Sequence, residues 1–330
     1  MIRVSSGTAG VLGLHPNYVE IPPTTAYFLI GEHCSRTCSF CPQGKDSVSF
    51  RKALLSRVTW PAFPMKDVLK NTFEVFSEGR VKRICMQVVQ RPETWECLLD
   101  TVQKIRCTCD APISISWTPD SPERAEALFE AGIDRLSIAV DTVSGNLFET
   151  IKGRAWEPTW RLLRSLAQKY PGKIGTHLII GLGESEKDAA DRIQQCVDAG
   201  VNIGLFAFTP VRGTPMEHLA QPPMDTYRRI QAAYHIIRLG ASMSAAFSFD
   251  TDGKIKDFGI DASHLAQLLS DGRAFRTTGC PGCNRPNYNE RPGQVPYNYP
   301  RSLDDGEITA SLSSVLSAVT REGCCDGYSS

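Results

Sequence analysis

The sequence predicts an α/β fold, a full or nearly full TIM-type (βα) barrel, on three observations. Short apolar, β-branched runs alternate with amphipathic stretches of helical length, the pattern of repeated βα units around a parallel sheet. Several predicted helices end just before a glycine, which favours the left-handed cap of a helix end. The 330 residues are enough for eight such units and a sizeable core.

Strands are predicted where apolar or β-branched runs are bounded by turn residues. In chain order they cover 27–30, 83–89, 113–117, 135–140, 173–180, 203–208, 242–249 and a less clearly patterned eighth, 274–277. Apolar periodicity predicts helices at 65–77, 93–105, 122–130, 158–169, 185–199, 224–239 and 262–269. Because a barrel places its chemistry after the carboxyl ends of its strands, we expect the functional groups in the loops there.

Two segments fall outside this alternation. Residues 1–25 are rich in glycine and proline and are predicted to form an N-terminal extension. The barrel is predicted over 26–278, and 279–330 are predicted to form a C-terminal extension that contains four cysteines. The sequence has no internal repeat of the solenoid kind.

Composition excludes several classes of function. The 36 Lys and Arg balance the 36 Asp and Glu without a long run of like charge, so nucleic acid is not an expected partner. No apolar stretch approaches the roughly 18 residues of a membrane span, and the first residues lack a secretory signal pattern. We therefore expect a soluble, cytoplasmic protein without a membrane partner. Its 12 cysteines are unevenly spaced, which fits metal ligation better than a disulfide framework.

Three cysteines, Cys34, Cys38 and Cys41, directly follow the first predicted strand. Thiolates favour iron-sulfur clusters, zinc or copper, but a structural zinc site needs four protein ligands. A local triplet leaves one iron of a 4Fe-4S cluster open to a small molecule. A zinc knuckle with His33 as fourth ligand is disfavoured, because His33 adjoins Cys34 and cannot easily turn to the same metal.

A second pair of thiols, Cys280 and Cys283, lies in a Gly/Pro-rich turn after the last predicted strand. This place predicts a position at a strand's carboxyl end, facing the mouth of the active site. Cys324 and Cys325 are expected to complete the ligand set. An auxiliary iron-sulfur cluster, a closed zinc site and a redox dithiol all remain open on these residues alone. The thiols interpreted as small buried apolar residues are Cys85, Cys97 and Cys196.

The Cys-x3-Cys-x2-Cys spacing, with Phe40 before the last cysteine, resembles the signature of radical S-adenosylmethionine (SAM) enzymes. In that family the open iron of a 4Fe-4S cluster binds the methionine part of SAM. One electron then cleaves SAM to methionine and a 5′-deoxyadenosyl radical. The resemblance implies catalytic and metal-ligating roles for Cys34, Cys38 and Cys41, with reduced ferredoxin or flavodoxin as electron donor.

Positions from 27 to about 239 also resemble the biotin synthase branch of this family. Where the family commonly has a Gly-Gly-Glu strip that holds the methionine amino group, this chain has Val88, Val89 and Gln90. We expect Gln90 to take that contact here, and backbone carbonyls of the stretch could also serve. Asp141 matches an Asp that binds the ribose, and its structural alternative is a helix cap.

Four more residues and Phe40 complete the cofactor-binding set that the resemblance implies. Arg161 is placed like an Arg that pairs with the methionine carboxylate, a task that suits a guanidinium. Ile180 and Gly181 match residues that flank adenine. Val211 lies in a stretch that resembles a loop bordering cofactor and substrate.

The block at 279–293 resembles the C-terminal signature of the two-component lipoyl synthases of archaea and some bacteria. The resemblance implies an auxiliary 4Fe-4S cluster held by catalytic Cys280 and Cys283 together with Cys324 or Cys325. That cluster would donate sulfur to an octanoyl chain on a lysine of a lipoyl carrier protein, with a sister radical SAM subunit as a further partner. A terminal serine, Ser329 or Ser330, is a further candidate ligand.

Two alternatives stay open. One is a biotin synthase-like or methylornithine synthase-like enzyme that acts on a small free substrate. The other belongs to a different class, an iron-sulfur scaffold or electron carrier that never cleaves SAM.

Overall fold

The structure is a computed structural model and describes residues 1–16, 19–49 and 54–319. Over these ranges, no helix has both the length and the apolar character that a membrane crossing requires.

The strands divide into one large sheet and two small hairpins. In chain order they are β1 (Ile2–Val4), β2 (Thr25–Ile30), β3 (Leu54–Leu55), β4 (Val58–Thr59), β5 (Ala62–Phe63), β6 (Arg83–Val88), β7 (Ile113–Ser116), β8 (Arg135–Ser137), β9 (Ile174–Ile180), β10 (Asn202–Ala207), β11 (Ser248–Phe249) and β12 (Ile255–Asp257). The large sheet has eight strands in the order β10-β9-β8-β7-β6-β2-β1-β5. From β10 to β2 every neighbouring pair is parallel, whereas β1 and β5 add antiparallel pairs beyond β2.

Helices follow most of the parallel strands, as the alternating sequence pattern predicts. They are α1 (Ser6–Val11), α2 (Met65–Ser77), α3 (Thr94–Arg106), α4 (Pro122–Glu130), α5 (Gly145–Lys152), α6 (Trp156–Lys169), α7 (Glu186–Asp198), α8 (Met224–Leu239), α9 (Ala262–Leu269) and α10 (Asp305–Val319). Local signals fix several ends: a capping box of Ser185 and Asp188 starts α7, and Gly240, with φ of 69°, ends α8. The α/β barrel prediction is confirmed.

Strand β6 shows how the sheet separates its two faces. Ile84 and Met86 are fully buried in the apolar core. The alternate residues Arg83, Cys85 and Gln87 line a cavity inside the barrel. Side chains along a strand point to opposite faces, so the apolar positions pack outward in the core and leave the others for the interior.

The last two predicted strands are wrong. Residues 242–249 form a 3-10 turn, Ser244–Ala246, and the short strand β11, which pairs only with β12. The predicted strand at 274–277 begins as a 3-10 turn at Arg273–Phe275. Both stretches are short of the β-branched residues that favour strands, and the parallel sheet therefore ends at β10.

Residues 277–300, here called the C-terminal segment, span the gap between β10 and the start of β2. On one side the backbone N–H of Leu205 in β10 donates to Thr278 Oγ1 at 2.9 Å. On the other side Thr24 N donates to Asn284 Oδ1 at 2.9 Å, and Asn284 Nδ2 donates to the Pro22 carbonyl at 3.0 Å. The segment thus closes the seam where two further parallel strands were predicted.

Helix α8 holds the C-terminal segment through Arg228, which is 1% exposed. Its guanidinium donates to the carbonyls of Pro296 and Tyr297, each at 2.7 Å, and stacks over the rings of Phe275 and Tyr299. Buried carbonyls need such donors, because a polar group without a partner is costly away from water.

Replacing this anchor tests its contribution to stability. We expect Arg228→Met to lower the free energy of unfolding by about 3 kcal/mol, since it leaves two buried carbonyls without a hydrogen-bond donor. Urea unfolding followed by circular dichroism measures the change. Arg238→Met, at an exposed position of the same helix, is the matched control and should change the value by less than about 0.5 kcal/mol. Equal effects of the two substitutions would contradict the anchoring role.

Candidate active site in the barrel

The first group of thiols lies in the loop that follows β2, at the carboxyl end of the parallel sheet. Gln90 N, at the end of β6, lies 3.4 Å from Cys34 Sγ, and the Gln90 carbonyl accepts from Ser35 N at 2.9 Å. Ser39 N donates to the Ile151 carbonyl, near the end of α5, at 2.9 Å. Two neighbouring elements therefore fix the loop that carries Cys34, Cys38 and Cys41.

The thiols of this loop are close enough to influence one another. Burial raises the pKa of Cys41 to about 12, and the nearby Cys38 and Cys34 add to this effect. Burial also raises the pKa of Cys38, which the positive charge of Lys152 partly offsets. At Cys38 and Cys41 the neutral thiol is therefore favoured until a metal or cation compensates the thiolate charge.

Two basic residues at and just after the end of α5 lie near this group of thiols. Lys152, 4% exposed, donates to the Asp141 carboxylate and to the Ala139 carbonyl, the latter at 2.6 Å. Arg154 stacks over Phe148, and burial, together with the charge of Arg36, lowers its pKa. Sequence reasoning missed Lys152 and Arg154, whose only signal is two basic residues that flank the glycine after a helix.

Of the predicted cofactor residues, Phe40 and Asp141 line the cavity inside the barrel. Asp141 adopts a left-handed conformation, with φ of 63°, and accepts from Lys152. Gln90 contributes its backbone to the cysteine loop, and its side chain donates to the Thr118 carbonyl at 3.1 Å. The predicted cofactor contacts of these residues stay predictions.

The other predicted cofactor residues lie outside the cavity lining. Ile180 is 2% exposed in the core, and Gly181 packs so closely on Pro222 that an added Cβ would lie 2.8 Å from that ring. Val211 is 6% exposed and accepts from the backbone of Thr214.

The structure does not bring Arg161 to the site. Its side chain is 77% exposed on α6, where it pairs with Glu157 at 3.6 Å. That i, i+4 geometry is typical of a solvated helix face. Arg154, which comes shortly before Arg161 in the chain, lies closer to the first group of thiols, with Cys38 and Cys34 among its electrostatic neighbours.

The second group of thiols lies at the opposite end of the barrel from the one predicted. Arg83, the first residue of β6, donates to the Pro281 carbonyl at 3.0 Å, which holds the turn between Cys280 and Cys283 at the amino ends of the strands. The expectation of a carboxyl-end position failed because it rested on the strand at 274–277, which does not form. Cys324 and Cys325, with Ser329 and Ser330, lie outside the described residues.

A third thiol, Cys85, joins Cys280 and Cys283. Burial raises the pKa of Cys85, and the two other thiols raise it further. Each thiol has its own polar neighbour. These contacts are Gln87 Nε2 to Cys85 Sγ at 3.2 Å, Ser114 Oγ to Cys280 Sγ at 3.3 Å and Tyr27 Oη to Cys283 Sγ at 3.1 Å.

The register of the sheet aligns three of these residues. Tyr27 of β2 lies opposite Cys85 of β6, and Cys85 lies opposite Ser114 of β7. Sequence reasoning treated Cys85 as a buried apolar residue. The missed signal is the alternation from Arg83 to Val88, in which every second residue is polar or a thiol and faces the interior.

The two thiol groups share one internal cavity of about 550 Å³. Cys38 and Cys41 line one end, and Cys85, Cys280 and Cys283 line the other; the surface of the cavity as a whole is mostly apolar. The lining also reaches Thr59 and Pro292, both exposed, so the cavity extends to the protein surface beside the hairpin of β3 and β4. A cavity of this size suits a small molecule or an extended chain.

Two observations test which inorganic group these residues fit. Among the residues that the structure describes, no three His, Cys, Asp or Glu side chains are arranged around a single metal ion. The cysteines of a cluster bind different irons, whereas a structural zinc needs four ligands around one ion. Near the first group, Arg36 Nε and Arg154 Nε are buried without acceptors, as an anionic ligand would require.

A family model described as the radical SAM superfamily matches residues 28–196, just over half of the chain. The chain belongs to the radical SAM superfamily. The match includes Cys34, Cys38 and Cys41, and membership implies a 4Fe-4S cluster and SAM as cofactors. The protein is therefore a radical SAM enzyme.

Curated relatives place this radical SAM protein near sulfur-inserting members at low identity. Biotin synthase from Picosynechococcus sp. is 24% identical over 263 residues, 75% of this chain and 68% of that protein. Lipoyl synthase from Chlamydia abortus is 23% identical over 257 residues, 74% of this chain and 78% of that protein. The ribosomal protein uS12 methylthiotransferase RimO from Anaeromyxobacter sp. is 26% identical over 237 residues, 65% of this chain. This chain spans only 47% of RimO and 26% of the protein MJ0785 from Methanocaldococcus jannaschii, which it also matches.

Solved structures agree on the fold. Methylornithine synthase (PylB) superposes with a TM-score of 0.51 over 74% of this chain and 80% of that chain, at 14% identity. The radical SAM fold is thus common to both chains.

His177 provides a pH test of the enclosed interior. Its ring lies against Phe206 and lines the cavity, and burial lowers its pKa from 6.5 to about 4. The unfolded chain therefore binds the proton more tightly. His177 thus stabilises the fold above the unfolded pKa, and this contribution is lost as the pH falls towards 4.

Between about pH 7 and pH 4.5 the free energy of unfolding of the parent apoprotein should fall as His177 becomes protonated in the unfolded chain. We expect this decrease to be about 2 to 3 kcal/mol smaller in His177→Phe. Urea unfolding at a series of pH values measures this difference. His264→Gln, at an exposed position on α9, is the control and should follow the parent. Parallel curves for His177→Phe and the parent would show that the ring is not shielded from water.

Proposed function

We propose that this radical SAM enzyme inserts sulfur into an unactivated carbon of an octanoyl chain, as one component of a two-protein lipoyl synthase. The substrate is the octanoyl-lysine of a carrier protein, and the sulfur source is an auxiliary 4Fe-4S cluster. The observation that carries this proposal is one mostly apolar cavity lined by Cys38 and Cys41 at one end and by Cys85, Cys280 and Cys283 at the other.

The cavity geometry supports a radical reaction on an apolar chain. An octanoyl carbon offers no acidic proton, so acid-base catalysis has no group to act on. When bound, the SAM-binding cluster supplies the electron that cleaves SAM to the 5′-deoxyadenosyl radical, and the auxiliary cluster supplies sulfur. The protein's own task is to hold the chain between the two ends and to exclude water from it.

At the carboxyl end, the chain's residues suit the charges of SAM. Arg154, with Arg36 beside it, is proposed to bind the methionine carboxylate in place of Arg161, because its buried Nε lacks an acceptor. Asp141 is proposed to bind the ribose with the carboxylate oxygen that Lys152 does not engage. Lys152 holds that carboxylate in place through their ion pair.

At the amino end, Cys85, Cys280 and Cys283 are proposed as the ligands of the auxiliary cluster. Tyr27, Ser114 and Gln87 contact one sulfur each, and once a thiol is deprotonated the hydroxyls can only donate. Hydrogen bonds to sulfur are among the means by which proteins tune such clusters. Cys324 or Cys325 would take a fourth position.

Access supports a tethered substrate. The cavity reaches the surface at Thr59 and Pro292, so an acyl chain can enter while its carrier stays outside. The proposed partners are the octanoylated carrier protein, a sister radical SAM subunit and a reduced ferredoxin or flavodoxin.

A biotin synthase-like reaction on a small free substrate is the second candidate. It is favoured by the identity to biotin synthase, 24%, which is as high as the 23% identity to lipoyl synthase. Thiolation of free octanoic acid but not of an octanoyl-lysine peptide would favour this candidate.

Anaerobic turnover with an octanoyl-lysine peptide tests the sulfur source. We expect Cys280→Ala to form 5′-deoxyadenosine but no thiolated peptide, because the loss affects only the amino end of the cavity. Mass spectrometry measures both products. Cys97→Ala, at an exposed thiol of α3, is the matched control and should behave as the parent. Thiolated product from Cys280→Ala would rule out the donor role.

Metal analysis tests the assignment of Cys85 separately. The reconstituted parent should hold about eight iron and eight sulfide, and Cys85→Ala about four of each, because one of two clusters is lost. Cys196→Ala replaces another buried thiol, away from the cavity, and should retain both clusters. Full iron content in Cys85→Ala would exclude Cys85 as an essential ligand.

A further inference from the structure

The amino end of the cavity contains a cation without an anionic partner. Arg285 follows Cys283 by two residues, and its guanidinium donates to the Thr278 carbonyl at 2.7 Å. It also stacks over Phe206, 4.0 Å from the ring centroid. Among the described residues it forms no ion pair with a carboxylate, and its electrostatic neighbours are the Cys283 thiol and three tyrosine hydroxyls, the nearest in effect being Tyr27.

The backbone is shaped to bring this guanidinium into the barrel. Arg285 has φ of 39° and Asn287 has φ of 56°, both left-handed conformations that cost residues other than glycine of order 1–3 kcal/mol. On β10, Gly204 leaves the necessary space, because a Cβ there would lie 3.3 Å from Arg285 Nη1. The C-terminal segment and β10 thus both make room for the Arg285 side chain.

Two buried guanidiniums of the barrel, those of Arg83 and Arg228, have acceptors. Arg83 pairs with Asp134 at 2.7 Å, and Arg228 donates to two backbone carbonyls. A cation removed from water without such compensation is strongly disfavoured. Arg285 is half-buried and lines the cavity together with the three thiols, and the thiol among its electrostatic neighbours is that of Cys283.

We propose that Arg285 is a counter-cation of the iron-sulfur centre that Cys85, Cys280 and Cys283 bind, that it acts from the Cys283 side, and that it raises the reduction potential of that centre. This inference rests on the proposed function, which takes these thiols as ligands. Reduction adds negative charge to a centre that already carries the charges of its thiolates. A positive charge nearby stabilises the reduced form more than the oxidised form.

Redox titration of the full-length reconstituted protein, followed by electron paramagnetic resonance, tests this role. SAM alters the signal of the cluster that binds it, so the unaltered signal belongs to the auxiliary centre. At the potential that half-reduces the parent's auxiliary centre, Arg285→Met should show a reduced-to-oxidised ratio at least tenfold lower, about 59 mV for one electron. Arg285→Lys keeps the charge and should stay within about twofold of the parent.

Arg192→Met is the matched control, since Arg192 stacks on Trp156 and Trp160 outside the cavity. It should leave the ratio unchanged. If Arg285→Met retains its iron and sulfide and also the parent ratio, the inference is overturned and the proposed function stands. If the reconstituted parent holds only one cluster, the proposed function is wrong and the inference about Arg285 falls with it.

A second variant applies if Arg285→Met binds no auxiliary cluster. Arg285→Gln removes the charge but keeps a donor for the Thr278 carbonyl, and it should show the same tenfold lower ratio of reduced to oxidised centre. A parent ratio in Arg285→Gln would overturn the inference.

Discussion

Apolar packing on the outer face of a parallel barrel constrains everything inside it. Each strand must present apolar residues to that packing at every second position, as Ile84 and Met86 do in β6. The intervening positions are free of this requirement and point inward. In this chain they carry thiols, hydroxyls, an imidazole and cations rather than the bulky aliphatic side chains that fill many barrels. The interior is therefore a cavity with chemistry at both ends.

The two ends are built by different means. At the carboxyl end a contiguous loop brings Cys34, Cys38 and Cys41 together, and its neighbours Gln90 and Ile151 fix it through backbone hydrogen bonds. At the amino end the sheet supplies only Cys85 and the polar residues around it. Cys280 and Cys283 come from the C-terminal segment, which spans the seam between β10 and β2. The same segment therefore closes the barrel and completes this group of thiols.

The sequence predicts well what depends on local pattern. The alternation of strands and helices identifies the fold, and the spacing of Cys34, Cys38 and Cys41 identifies the first site without any tertiary information. Predictions that depend on tertiary arrangement fare worse. The seam between β10 and β2 is closed by irregular chain rather than by two more strands, which reverses the expected position of Cys280 and Cys283. The role of Cys85 could not be predicted, because a single thiol in a strand shows its partners only once the fold brings them close. Arg161 has the expected place along the chain but lies on a solvated face, while Arg154, a few residues earlier, turns inward.

One contact, between Tyr27 and Cys283, joins residues 256 positions apart in the chain. Bringing such distant parts together is entropically unfavourable until the intervening structure has formed, so contacts of this separation belong to the late stages of folding. During synthesis the ribosome releases Tyr27 long before Cys283. The amino end of the barrel therefore stays open to solvent until synthesis has passed Cys283, long after the strands that surround it have left the ribosome.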